Sequence, residues 1–114
     1  MSVVFIEMPA FARRRDDYFD DERLRRLQSL LMANPLAGDV IVGCGGLRKL
    51  RIGDPRRGKG ARGGLRVIYY FWSSHRQFWL YGVYDKDEAE DLNDRQRRTL
   101  REALITELSM RSGT

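Results

Sequence analysis

The sequence predicts an α+β domain in which two N-terminal helices and one C-terminal helix pack on a mostly antiparallel β-sheet. Three observations support this class. Leucines recur at helical spacing near both ends of the chain, two long apolar runs with strand character lie between them, and 114 residues suit one domain spanning 1–114. Because 42% of the residues are hydrophobic, the chain has enough apolar surface for a core.

The N-terminal third predicts a short strand followed by two helices. Ser2 to Ile6 is rich in β-branched and aromatic residues, and Pro9 suits the first position of a helix. Asp20 and Asp21 are N-cap candidates for the second helix, which Asn34-Pro35 should end. The apolar positions of that helix are Leu24, Leu27, Leu30 and Leu31, and we expect them in the core.

A hairpin and a last helix are predicted in the C-terminal half. Leu65 to Trp72 and Gln77 to Tyr84 are strand patterns joined by a four-residue turn, which gives an antiparallel pair. Asn93 and Gln96 have the spacing of a capping box that opens the final helix. Leu100, Ala103, Leu104 and Leu108 form its apolar stripe.

The segment between the helices and the hairpin contains a third strand and a polar loop. A glycine-rich connection with one possible irregular strand precedes Leu47 to Ile52. Alternation along that strand places Lys49 and Arg51 on one face and Arg48 on the other. Gly53 to Gly64 reads as a loop too polar to pack.

Composition excludes several classes of protein. No apolar run is long enough for a membrane span, and the first residues do not form a signal peptide. One cysteine, Cys44, permits no internal disulfide, and with a single histidine it argues against a zinc site. We therefore expect a cytoplasmic protein with no cofactor and a structural cysteine.

Positive charge is concentrated in one segment, Gly46 to Arg66, which we call the basic segment. It carries a net charge of +7, whereas the rest of the chain carries −2. A local cationic field of this kind favours a nucleic-acid phosphate backbone. We expect RNA binding by Arg48, Arg56, Arg57, Lys59, Arg62 and Tyr84.

The chain resembles the RelE/ParE superfamily of bacterial toxins, and within it the HigB-type branch. The similarity lies in the runs 35–41, 45–51 and 63–70, and in Tyr84-Asp85-Lys86-Asp87-Glu88 leading to Asp91-Leu92. The resemblance implies a type II toxin–antitoxin system, in which the toxin cuts messenger RNA in the ribosomal A site without a metal. It also implies a cognate antitoxin partner, of the helix-turn-helix type.

The same resemblance points to catalytic residues. Arg66 matches the arginine that stabilises the transition state, while Lys49 and Arg51 match the basic strand pair. Lys86 falls where RelE has an arginine after its last strand, but Leu92 stands near the place of the RelE tyrosine. Cleavage by the substrate's own 2′-hydroxyl needs such cations, together with a base and an acid.

The sequence offers more than one candidate for the general base that accepts the 2′-hydroxyl proton. Lys49 is a candidate because neighbouring cations favour its neutral form, and Tyr70 and Tyr84 are others. His75, in the hairpin turn, is better explained as a solvated turn residue. Two further functions are compatible with the sequence: a ParE-like inhibitor of DNA gyrase, and an RNA-binding module without catalysis.

Overall fold

A computed structural model describes residues 2–58, 60, 64–88 and 91–113. These residues form five strands and three α-helices. The strands are β1 (Val4–Glu7), β2 (Asp39–Val40), β3 (Arg48–Ile52), β4 (Leu65–Trp72) and β5 (Gln77–Asp85); the helices are α1 (Pro9–Tyr18), α2 (Asp21–Ala33) and α3 (Asp94–Arg111). The α+β class predicted from the sequence is confirmed.

The strands form one sheet in the order β1-β5-β4-β3-β2. The β2–β3, β3–β4 and β4–β5 pairs are antiparallel, and β1 joins β5 in parallel. The sheet is thus mostly antiparallel, as expected. The irregular strand expected before β3 is the two-residue edge strand β2.

Side-chain caps fix the starts of two helices where the sequence placed them. The Asp20 carboxylate accepts a hydrogen bond from the Arg23 amide at 2.8 Å, so α2 begins at the next residue. Asn93 and Gln96 form a reciprocal capping box, with bonds of 2.8 and 2.9 Å, at the start of α3. Pro9 occupies the first turn of α1.

The sheet separates two cores. On one face, α1 and α2 cover Leu50, Leu65, Val67, Tyr69, Phe78 and Leu80. On the other face, α3 inserts Leu104 against Leu47, Ile68, Trp79, Tyr81 and Tyr84. We call these the α1–α2 face and the α3 face. The cations of β3 alternate in the same way, so Arg48 lies on the α1–α2 face, whereas Lys49 and Arg51 lie on the α3 face.

A β-bulge interrupts the β4–β5 pair. Ile68 pairs with Gly82 and Tyr69 pairs with Leu80, so Tyr81 is an extra residue on β5. The bulge keeps the Tyr81 side chain in the core of the α3 face, two positions from Trp79. The strand beyond it is shifted in register, and this shift sets which residue faces Arg66.

The expectation that the loop after β3 is too polar to pack is wrong for its first part. Asp54 is only 2% exposed, and its Oδ1 lies 3.4 Å from Nη1 of Arg23 on α2. Pro55–Arg57 form a 3₁₀ turn that ends on Gly58 in the left-handed region. The cause is an ion pair between the buried Asp54 and the partly buried Arg23, which an isolated loop sequence does not reveal. Lys59 and Arg62 lie outside the described residues.

No helix in the described parts of the chain has both the length and the apolar character that crossing a membrane requires. Among α1, α2 and α3, the longest is α3 with 18 residues, and it carries charged side chains through most of its length.

Candidate active site

Three polar side chains lie side by side on the α3 face, near one end of the sheet. Arg51 on β3 pairs with Arg66 on β4, and Arg66 pairs with Tyr84 on β5. Directly opposed residues of antiparallel strands point to the same face of the sheet, at a short distance. Arg51, Arg66 and Tyr84 therefore form a row, which we call the cross-strand row.

Arg66, the central member of the row, is buried. It is 5% exposed, and its Nη1 donates to the carbonyl oxygen of Leu65 at 3.3 Å. A guanidinium is planar and carries its donors in a fork that matches a phosphate. It is therefore suited to stabilise negative charge that develops at one defined point.

The hydroxyl of Tyr84 is buried, and within the described part of the chain it has no hydrogen-bond partner. Burial raises the pKa of Tyr84, and the charge of Asp91 raises it further, against the opposing effect of Arg66 and Arg51. The phenol is thus protonated at neutral pH. It can donate a proton or a hydrogen bond to a group placed beside Arg66.

Lys49 lies on the same face as the cross-strand row, two residues before Arg51. Its Nζ forms an ion pair with Oδ1 of Asp91 at 3.2 Å, and it is 15% exposed. The other carboxylate oxygen of Asp91 lies 3.3 Å from Nη2 of Arg97 on α3. A hydrogen bond from the Leu92 amide and these two cations lower the pKa of Asp91.

A surface cleft of about 260 Å³ adjoins this ion-pair cluster. Its lining combines the end of β2, the cations of β3 and the start of α3. The lining residues are Asp39, Val40, Ile41, Val42, Lys49, Arg51, Asp91 and Arg97. Basic groups from β3 and α3, which are distant in sequence, therefore meet at one opening.

Two members of this cluster, Asp91 and Arg97, were not among the sequence-predicted site residues. Both flank the capping box that starts α3. The start of α3 follows the end of β5, so charged side chains there can reach the cations of the sheet. The capping box could have located the helix start. Which helix position faces Lys49 depends on the packing of α3, and the sequence does not give it.

The other predicted RNA-binding cations lie elsewhere. Arg48 points to the α1–α2 face and donates to the carbonyl oxygens of Gly38 at 2.8 Å and Leu36 at 3.4 Å. Arg56 donates to the carbonyl oxygen of Asp17 on α1 at 3.3 Å. The side chain of Arg57, like Lys59 and Arg62, is outside the described set. The structure thus brings neither Arg48 nor Arg56 to the cross-strand row.

Lys86 follows the end of β5, and its amide donates to the carbonyl oxygen of Gly64 at 3.1 Å. This bond ties the strand end that carries Tyr84 to the residue before β4. Lys86 thus lies two residues along the chain from Tyr84, at the same end of the sheet as the row.

Two of the candidate bases do not join the row. His75 stacks on Trp72 with ring centroids 3.5 Å apart, at the far end of β4, about 20 Å along the strand from Arg66. Tyr70 packs against Trp79, with 5.3 Å between ring centroids. Lys49 and Tyr84 are the candidates that the fold places near Arg66.

Cys44 is fully buried in the core of the α3 face, and burial raises the pKa of its thiol. Its Sγ lies 3.8 Å from the carbonyl oxygen of Arg97. Across the described residues, no three His, Cys, Asp or Glu side chains gather as a metal site would require.

No protein-family model matches the sequence. Among solved structures, the chain is similar to the Escherichia coli toxin RelE, in a double-arginine mutant solved in the free state. The TM-score is 0.54 with 13% sequence identity, and the match covers 92% of this chain and 99% of RelE. The chain has a RelE fold. At this identity the likeness concerns the fold, so the chemistry rests on the residues of the RelE-like sheet described above.

Proposed function

We propose that this protein is the toxin of a type II toxin–antitoxin system and a metal-independent endonuclease that cuts messenger RNA on the ribosome. The observation that carries the proposal is the cross-strand row, in which the buried Arg66 is flanked by Arg51 and the Tyr84 phenol. The RelE fold supports it, and the sequence runs 35–41, 45–51 and 63–70 support placement in the HigB-type branch.

The reaction is attack of an RNA 2′-oxygen on the adjacent phosphorus. The bond from phosphorus to the 5′-oxygen breaks, and the products are a 2′,3′-cyclic phosphate and a 5′-hydroxyl. Arg66 and Arg51 stabilise the additional negative charge on the phosphate and favour loss of the 2′-hydroxyl proton to water. Lys49 adds positive charge from the neighbouring position of β3.

Tyr84 provides the proton that the leaving 5′-oxygen needs. Burial holds the pKa of its phenol above the usual value, so the group is in the acid form at neutral pH. Its position opposite Arg66, on the same face of the sheet, supports this role. Between the two nearby candidates, this assigns Tyr84 as the acid and leaves Lys49 as a binding cation.

The partners follow from the same assignment. Messenger RNA in the ribosomal A site is the substrate. Lys86 and the cations of the loop after β3 contact the RNA backbone outside the cross-strand row. An antitoxin, of the helix-turn-helix type, silences the toxin by covering the α3 face or by docking on α1 and α2. The site of action is the cytoplasm.

The test is cleavage of messenger RNA by purified protein on translating ribosomes, with mapping of the new 5′ ends. Arg66→Ala should reduce cleavage by about 10² to 10³, the cost of removing one preorganised donor from a transition state. Arg25→Ala is the matched control, because it removes an exposed arginine from α2, on the opposite side of the sheet. Equal cleavage by Arg66→Ala and wild type would overturn the assignment.

Two other outcomes identify other functions. Inhibition of gyrase supercoiling with intact messenger RNA would indicate a ParE-like toxin. Salt-dependent RNA binding with no cleavage, on or off the ribosome, would indicate a non-catalytic RNA-binding module.

A further inference from the structure

We propose that Lys49 and Arg97 form a second RNA-phosphate subsite beside the cross-strand row, and that in the free protein the Asp91 carboxylate occupies the place of that phosphate. The inference rests on the proposed function for the identity of the ligand. It assigns a binding role to Arg97 and a competing role to Asp91.

The geometry around Asp91 is that of an anion site. Its Oδ1 accepts from Lys49 Nζ at 3.2 Å and from the Leu92 amide at 2.8 Å, and its Oδ2 accepts from Arg97 Nη2 at 3.3 Å. The donors come from β3, α3 and the connection before α3. Charged donors that converge in this way bind a phosphate oxygen as readily as a carboxylate oxygen.

Asp91 does not use all the donors of this site. Nε of Arg97 is buried and, within the described residues, has no acceptor. Arg51 lines the same cleft, so three cations face the opening, with Asp39 as a second acid on its rim. A phosphate offers more acceptor oxygens than the Asp91 carboxylate and could engage more of these donors.

The spacing to the cross-strand row fits consecutive phosphates. Lys49 and Arg51 lie two residues apart on one face of β3, a separation of about 7 Å along the strand. Neighbouring phosphates of an extended RNA strand are separated by a similar distance. An RNA whose scissile phosphate lies at Arg66 and Arg51 therefore has an adjacent phosphate near Lys49 and Arg97.

The Asp91 side chain is exposed enough to move out of the site when a phosphate binds. Its side chain is 53% exposed, whereas that of Lys49 is 15% exposed. Rotation of the carboxylate into water would uncover the two cations without moving a buried group. Exchange of one anion for another keeps the site neutralised in both states, so the free protein hides its phosphate subsite until RNA enters.

The experiment measures binding of a short fluorescent RNA in which every 2′-hydroxyl is methylated, so that it cannot be cleaved. Asp91→Asn should bind this probe about fivefold more tightly than wild type, the value of a strong exposed ion pair. Asp16→Asn is the charge-matched control, because Asp16 is 96% exposed on α1 and its loss should change affinity little. The double variant Asp91→Asn with Arg97→Ala should lose the gain.

The outcomes separate this inference from the proposed function. A gain in Asp91→Asn that disappears with Arg97→Ala supports the subsite, even if no variant cleaves messenger RNA. Equal affinity of wild type and Asp91→Asn overturns the subsite, even if wild type cleaves in an Arg66-dependent manner. A gain that survives Arg97→Ala also overturns it, because Arg97 would then take no part in binding the RNA. Circular dichroism of each variant shows whether it is folded.

Discussion

The two faces of the sheet use the same basic segment in different ways. On the α1–α2 face, Arg48 donates to backbone carbonyls, and the acid Asp54 is buried against Arg23. On the α3 face, Arg51, Arg66 and Tyr84 lie side by side, and the phenol hydroxyl has no partner in the described structure. Polar groups that satisfy each other hold a fold together, whereas aligned cations and a free hydroxyl suit a ligand. We therefore propose that the α1–α2 face stabilises the fold and that the α3 face carries the chemistry.

Removing Asp54 should have the largest effect on folding. Asp54→Ala removes the buried partner of Arg23 and should reduce the free energy of unfolding by about 2 kcal/mol, because a charge-assisted hydrogen bond is lost. Urea unfolding followed by circular dichroism gives the value, and Asp16→Ala on the surface of α1 is the control. Unchanged stability would remove the structural role of the α1–α2 face from the comparison.

Tyr84→Phe should reduce cleavage without reducing stability, in contrast to Asp54→Ala. Loss of the general acid should reduce single-turnover cleavage by about 100-fold. Stability should be unchanged or slightly higher, because the buried hydroxyl has no partner to lose among the described residues. Quenched cleavage assays measure the rate, and thermal unfolding of the same samples measures the stability. A large loss of stability would show that the hydroxyl is structural.

A smaller effect is expected at Glu88, which ties the connection before α3 to α1. Bonds from Arg14 and the Tyr18 hydroxyl lower the pKa of Glu88 from 4.5 to about 2. Because the folded-state pKa is the lower one, Glu88 stabilises the fold above pH 4.5, and the contribution is lost as pH falls towards 2. The side chain is 42% exposed, so solvent screening limits the effect to about 1 kcal/mol.

Thermal unfolding of wild type and Glu88→Gln across this pH range measures the contribution. The melting temperatures should differ most at neutral pH and converge in acid. A difference that is independent of pH would indicate that the charge of Glu88 does not contribute.

Local chemistry made much of the fold predictable. Pro9, Asp20 and the Asn93–Gln96 box mark helix starts through bonds within one turn, and the alternation along β3 correctly separated Arg48 from Lys49 and Arg51. Such signals need no knowledge of the rest of the chain.

The features that were not predictable depend on distant partners. The parallel pairing of β1 with β5 joins residues more than 70 positions apart, and the bulge at Tyr81 depends on register with β4. The burial of Asp54 depends on Arg23, and the positions of Asp91 and Arg97 depend on how α3 packs on the sheet. For this reason the sequence indicated the cations of β3 and β4 but missed Asp91 and Arg97, which lie at the start of α3.

The most direct test of the division between the two faces compares two arginines of β3 that point in opposite directions. Arg51→Gln should reduce cleavage at least about tenfold, as expected for loss of a charged contact to the transition state, and leave the melting temperature unchanged. Arg48→Gln should cost about 1 kcal/mol of stability, because its bonds to the Gly38 and Leu36 carbonyls are lost, while cleavage per folded molecule is retained. Equal losses of cleavage in the two variants would contradict the assignment of chemistry to the α3 face alone.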